Sequence, residues 1–320
     1  MIDARLVQEP FRAMGTDCVV AATVRRSDVP RARRALKAAR REVEACERAL
    51  SRFAAKSDLS RLNRARGRWT AVDDRLIAAL KVALRVREET GGRFDPTILP
   101  ALVAAGYDRS FEQLDGRPPT SAPGWHPAAI VEIDSAALCA RVEDGASVDL
   151  GGIGKGFAAS RALWAMREAW LELPGGLVDL GGDIAVWGAT PEGGPWLLSV
   201  ADPLVPGRSL ATVAIDEGAV ATSGRDQRRF GPERQLHHLI DPTTGAPANS
   251  GPLTVTVVGW DGAEVEAYAT ALAITPPDRA AGLLSARPYL SALLVPTEGR
   301  AVVIGDLPLV RNSQLAEVFA

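Results

Sequence analysis

Val148-Asp149-Leu150-Gly151-Gly152-Ile153-Gly154-Lys155-Gly156-Phe157-Ala158-Ala159-Ser160 puts four glycines within six positions, beside an aspartate and a lysine. Glycine admits positive φ and has no Cβ, so bare backbone can come close to a ligand. Ala162, Leu163, Met166 and Trp170 continue at mostly helical spacing, so an acidic strand end is predicted to turn into a helix N-terminus, where anions are favoured. The first reading is a phosphate-containing ligand; a plain glycine turn capping a helix is the alternative. A Walker loop would need glycine at 149 and Ser or Thr at 156, where the chain has Asp149 and Gly156. A dinucleotide fingerprint starting at Gly152 would need glycine where Phe157 stands.

Three histidines occur, His126, His237 and His238, and the adjacent pair lies close to Asp241. Imidazole exchanges protons near neutrality. Neighbours on a strand point to opposite faces, so at most one of the pair is expected to enter a given site, and a strand-end histidine hydrogen-bonded to the turn is the alternative. Glu266 and Thr270 stand four apart on one face of a predicted helix. Their carboxylate and hydroxyl, with backbone carbonyls, suit a hard cation such as magnesium rather than zinc. Asp95, before Pro96, reads as a turn residue when seen alone. Ser223 lacks a nucleophile-elbow context.

The elements that must hold these residues are legible in outline. A strand is predicted from Asp17 to Val24, then a helix opened by Pro30, with Ala32, Leu36, Ala39, Val43, Cys46 and Leu50 on its inner stripe and its arginines solvated. A second helix is capped by Asp73 or Asp74 and stopped by Gly91-Gly92. Strands are predicted at Trp196 to Val200, Leu210 to Ile215 and Leu253 to Val258, and a last helix from near Glu264. Asp179-Leu180-Gly181-Gly182 repeats Asp149-Leu150-Gly151-Gly152, as two strands whose glycine ends approach one ligand or each other would. Mixed strands with segregated helices give an α+β class. The chain reads as a single domain spanning 1–320, and 111–127 is where it would divide if it formed two lobes.

Bulk properties narrow the function. With 320 residues, 47% hydrophobic, the chain can bury a large core, and a formal net charge of -2 gives no general case for nucleic acid or an anionic membrane. Cys18, Cys46 and Cys139 form neither a disulfide framework nor a zinc ribbon. The opening dozen residues carry Asp3, Arg5, Glu9 and Arg12 without an apolar run, so the expected location is cytoplasmic.

Taken in order, Met14-Gly15-Thr16, Ser51-Arg52-Phe53, Leu62-Asn63, Phe94-Asp95-Pro96-Thr97, the glycine segment from Asp149 to Gly156, Gly181-Gly182-Asp183, Ala221-Thr222-Ser223-Gly224 and His238-Leu239-Ile240-Asp241-Pro242-Thr243-Thr244-Gly245 resemble the flavin transferases of the ApbE type, FAD:protein FMN transferases. The resemblance spans about residues 11 to 305. It implies the family's α+β fold and a magnesium-dependent enzyme that moves FMN from FAD to a threonine hydroxyl of a target flavoprotein and releases AMP. It also implies that Met14, Arg93, Phe94, Asp95, Asp149, Lys155, His238 and Leu239 line the FAD site, that the Gly152 carbonyl, Glu266 and Thr270 hold Mg2+, and that His238 is the base. FAD and the acceptor protein are the expected partners; nucleic acid and membrane are not. Two departures stand out: Glu266 replaces the family's usual Asp, and Ser160 stands where an Asp usually closes the lysine motif. The competing readings are a magnesium-dependent FAD pyrophosphatase and a non-catalytic FAD-binding protein with an altered metal site.

Overall fold

The computed structural model describes residues 4–114, 120, 126–226, 229–231, 235–298 and 300–310. β1 (Ala4–Ala13) and β2 (Thr16–Arg25) form a hairpin. After it come α1 (Val29–Leu50), α2 (Asp58–Asn63), α3 (Asp74–Glu89) and α4 (Leu99–Ala104), with β3 (Thr70–Ala71), β4 (Val131–Asp134) and β5 (Cys139–Val142) making a small sheet. Next are α5 (Gly154–Ala169), β6 (Gly175–Leu180), β7 (Ile184–Gly188), β8 (Trp196–Ala201), β9 (Ser209–Ile215) and β10 (Glu217–Gly224). Two short pairs, β11 (Arg229–Phe230) with β12 (Leu236–His237) and β13 (Ile240–Asp241) with β14 (Ala246–Pro247), precede β15 (Thr254–Gly259), α6 (Gly262–Ala273), α7 (Pro277–Leu284), β16 (Ser291–Val295) and β17 (Val302–Ile304).

Eight strands form the main sheet in the order β1-β2-β6-β7-β10-β15-β16-β17, antiparallel throughout. Helices α1, α5 and α6 cover one face, and the β8–β9 hairpin covers part of the other. Strand pleat divides the two cores. On β10, Ala219 and Ala221 join the helix side, while Val220 joins Val186, Val258 and Leu293 against Trp196, Leu198 and Val200 of β8. The α+β expectation holds.

Local sequence explains the elements. The buried stripe of α1 includes the six predicted apolar residues, and all its exposed residues but Pro30 are Arg or Lys, a solvated face as expected. Asp73 caps α3 by accepting from the Arg75 N–H. α6 is buried on nearly every side, so its carboxylates must find partners: Glu264 meets Arg85 at 2.9 Å and the Tyr289 hydroxyl at 3.1 Å.

Several expectations need correction. Residues 148–150 are not a strand end. Val148 pairs both its backbone groups with the side-chain amide of Asn63, at 2.8 Å each, and Asp149 donates to the Pro96 carbonyl at 2.8 Å, so an amide side chain and a loop stand in for a strand partner. β1 is missing from the sequence reading because its polar alternation resembles a surface segment, and β10 because Thr222-Ser223-Gly224 looks like a loop. Most of the proposed boundary at 111–127 lies outside the described residues. Among those described, no helix is long and apolar enough to cross a membrane.

Candidate active site

The glycine segment is fixed from below by one buried ion pair. Arg52 Nε lies 2.7 Å from Asp149 Oδ2, with the two side chains 8% and 11% exposed. Asp149 Oδ1 accepts the Gly151 N–H at 2.8 Å. The Arg52 guanidinium stands over the rings of Phe53 and Tyr107, 4.2 and 4.7 Å from their centroids, and donates to the Tyr107 carbonyl at 2.9 Å.

The start of α5 meets the start of α6 without side chains between them, at Gly156 and Gly262. This contact carries Glu266 to the first turn of α5, where its Oε2 accepts the Gly156 N–H at 2.8 Å and its Oε1 lies 3.1 Å from Lys155 Nζ. Lys155 also touches Asp183, whose side chain is 2% exposed. Two carboxylates at a helix N-terminus complement its dipole and balance the lysine. Ser160 Oγ accepts the Gly262 N–H at 2.9 Å and so closes the start of α6. Thr270 Oγ1 reaches Gly152 O at 3.5 Å and Ser223 Oγ at 3.3 Å. A β-carbon on residue 152 would stand 2.9 Å from Thr270 Oγ1, which is why glycine is needed there.

The remaining predicted residues approach from separate elements. Met14 and Gly15 both have positive φ, 51° and 71°, and close the β1–β2 hairpin as a two-residue turn. A methionine in that conformation costs of order 1 kcal/mol; the Met14 N–H donates to Glu47 Oε1 at 2.8 Å and helps to hold it. Asp95 is a turn residue in detail: Oδ1 accepts the Thr97 N–H and hydroxyl, and Oδ2 accepts the Ala128 N–H. Phe94, beside it, is buried against the glycine segment. Arg93 lies 3.8 Å from Asp241 Oδ2.

The histidine pair divides, with His237 ending β12 and His238 in the bend beyond it. His237 is buried, with Nε2 placed to donate to the Ala248 carbonyl at 2.9 Å, and burial lowers its pKa from the ordinary 6.5. His238 lines the cavity, edge-on to Tyr107 at 6.4 Å between centroids.

All eleven residues named from the sequence line one cavity of about 570 Å³: Met14, Arg93, Phe94, Asp95, Asp149, Gly152, Lys155, His238, Leu239, Glu266 and Thr270. That volume lies within the range for small-molecule sites. The cavity also takes in Arg52, Tyr107, Asp183's neighbour Gly182, and Ser223. The sequence assigns no role to Arg52 or Asp183, because an isolated Ser-Arg-Phe or Gly-Gly-Asp carries no local signal of an ion partner distant in sequence. The repeated Asp-Leu-Gly-Gly segments do border the same cavity through Gly151, Gly152, Gly181 and Gly182. The phosphate reading of the loop amides needs amending. The N–H groups of Gly151, Gly154 and Gly156 are already bonded to Asp149, the Leu150 carbonyl and Glu266.

The Gly152 carbonyl, Thr270 hydroxyl and Glu266 carboxylate are all oxygen donors, and in kind they fit a hard divalent cation. Among the described residues no three of His, Cys, Asp and Glu converge as metal ligands.

The sequence pattern of the ApbE family matches residues 14–294. An FAD:protein FMN transferase of Treponema pallidum is 30% identical over 265 residues, 75% of this chain and 70% of the relative. The FAD:protein FMN transferase of Vibrio cholerae is 27% identical over 261 residues, 78% of this chain and 75% of the relative. The crystal structure of the ApbE protein of Thermotoga maritima superposes with a TM-score of 0.81 at 26% identity, covering 94% of this chain and 97% of that one.

Proposed function

Because the chain belongs to the ApbE family, we propose that it is an enzyme transferring FMN from FAD to a protein, that the acceptor is a threonine hydroxyl, and that the reaction requires magnesium. The observation that carries the site assignment is the meeting of Lys155, Glu266 and Asp183 beside a glycine-lined cavity that His238 also borders. The acceptor hydroxyl attacks the FMN phosphorus, the bond from that phosphorus to the bridging oxygen breaks, and AMP leaves with its own phosphate. His238 takes the hydroxyl proton. Lys155 offsets the negative charge that develops on the phosphate oxygens. Glu266, Thr270 and the Gly152 carbonyl would hold Mg2+, which supplies further charge neutralisation at the pyrophosphate. Arg52 and Asp149 keep the glycine segment in place.

The test incubates the purified chain with FAD, with and without magnesium and with a threonine-containing acceptor, and follows AMP, FMN and acceptor mass. Magnesium-dependent AMP with flavin on the acceptor supports the transferase. AMP with free FMN alone makes it a pyrophosphatase, and FAD left intact makes it a binding protein.

A further inference from the structure

The β8–β9 hairpin meets the cavity along an edge. Leu198, Ser199, Val200, Ala201, Asp202 and Pro203 are consecutive and all line it. Yet the side chains of β8 alternate, Leu198 and Val200 buried, Ser199 and Ala201 exposed. A strand that bordered the cavity with one face would contribute every second residue, whereas a strand that borders it with its edge contributes each in turn. β9 lies on the other side of β8, and none of its residues lines the cavity.

Hydrogen bonding fixes which backbone groups point along that edge. On β9, the Ala214 N–H donates to the Pro308 carbonyl and the Thr212 carbonyl accepts from the Val310 N–H, both at 2.8 Å. Residues 212 and 214 therefore face the C-terminal segment, and Ala211, Val213 and Ile215 face β8 opposite Val200, Leu198 and Trp196. The backbone groups of Ser199 and Ala201 then point away from β9, toward the cavity. The Asp202 N–H, bonded to the Arg208 carbonyl at 2.9 Å, keeps the alternation to the strand's end. Among the described residues no backbone group pairs with Ser199 or Ala201 on this side.

An unpaired strand edge beside a reaction cavity is a template for an added strand. The geometry points to an acceptor that presents its hydroxyl on an extended segment, paired to β8 through the N–H and C=O groups of Ser199 and Ala201. This rests on the reading of a protein acceptor. Alternate side chains of the added segment lie in the layer of Leu198 and Val200, against Ile184, Val220 and Thr222 of the main sheet, and the intervening ones face solvent. Recognition is then carried by main chain and by every second side chain.

The probe is a library of octapeptides with one threonine and randomised flanks, offered to the full chain with FAD and magnesium. The best-labelled peptide is remade with single backbone N-methyl groups at each position in turn. Methylation at every second residue is expected to lower kcat/KM by about ten-fold, with little effect between. Ser199→Pro, which removes an edge N–H and the Ser199–Ser209 hydroxyl bond but leaves the β8–β9 backbone ladder intact, is expected to raise the peptide KM by a similar factor. A response to N-methylation without a period of two overturns the proposal, as does an unchanged KM for both Ser199→Pro and Ala201→Pro. Failure to label any peptide while FAD is still cleaved also overturns it and leaves flavin chemistry standing. Failure to cleave FAD at all removes both readings.

Discussion

A β-carbon on Gly156 would stand 2.0 Å from the carbonyl oxygen of Gly262, and one on Gly262 would stand 2.3 Å from the carbonyl oxygen of Gly156. The first turns of α5 and α6 thus touch backbone to backbone. This contact lets Glu266, one turn further along α6, accept the Gly156 N–H at 2.8 Å while facing Lys155.

Gly156→Ala is expected to force the helices apart. Overpacking of this kind costs about 1–3 kcal/mol, and the shift also takes Glu266 out of reach of the loop. Urea unfolding and FAD cleavage should fall together. A variant as stable as the parent would show that the close approach does not exist.

Glu266→Asp shortens the side chain by one carbon–carbon bond, about 1.5 Å, so the carboxylate cannot keep both the Gly156 N–H and Lys155. Magnesium-dependent AMP release is expected to drop by about ten-fold or more, the equivalent of one charge-assisted hydrogen bond. A gain in turnover would instead mark glutamate as a degraded ligand.

Arg52→Ala leaves Asp149 charged and buried without its partner, which costs about 3–5 kcal/mol. Asp149→Asn is expected to destabilise in the same direction. The double variant should lose less than the two single losses added, because each removes the same pair. Additive losses in a denaturant series would mean that the pair is not coupled.

His237 links stability to pH. Burial holds its pKa below 6.5, so the folded chain keeps it neutral where the unfolded chain binds a proton. Its contribution is complete above pH 6.5 and declines as pH falls from there through the lowered folded-state value. Unfolding measured at pH 7.5 and 5.5 should show a larger loss in the parent than in His237→Phe; equal losses would place the proton elsewhere.

Local patterns carried much of the outcome. The apolar stripe of α1, the Asp73 cap, the alternation in β8 and the four-residue spacing of Glu266 and Thr270 are short-range features that a sequence states directly. So are the ordered motifs that mark the family. Asp95 behaves as its local chemistry predicts, its Oδ1 bonded within its own turn to the Thr97 N–H and hydroxyl.

What only the tertiary structure decided is which distant groups meet. Asn63 replaces a strand partner for Val148, Arg52 finds Asp149, and Lys155 settles between Asp183 and Glu266. None of these pairs lies within a helical turn or a hairpin, so no periodicity records it. The contact of Gly156 with Gly262 is legible as two glycines and nothing more, since the reason for them is the absence of atoms at a crossing that exists only once both helices are packed on the sheet. The free edge of β8 has the same origin: residue types set the strand, but the C-terminal segment on β9 and the cavity beside Ser199 decide which edge stays open.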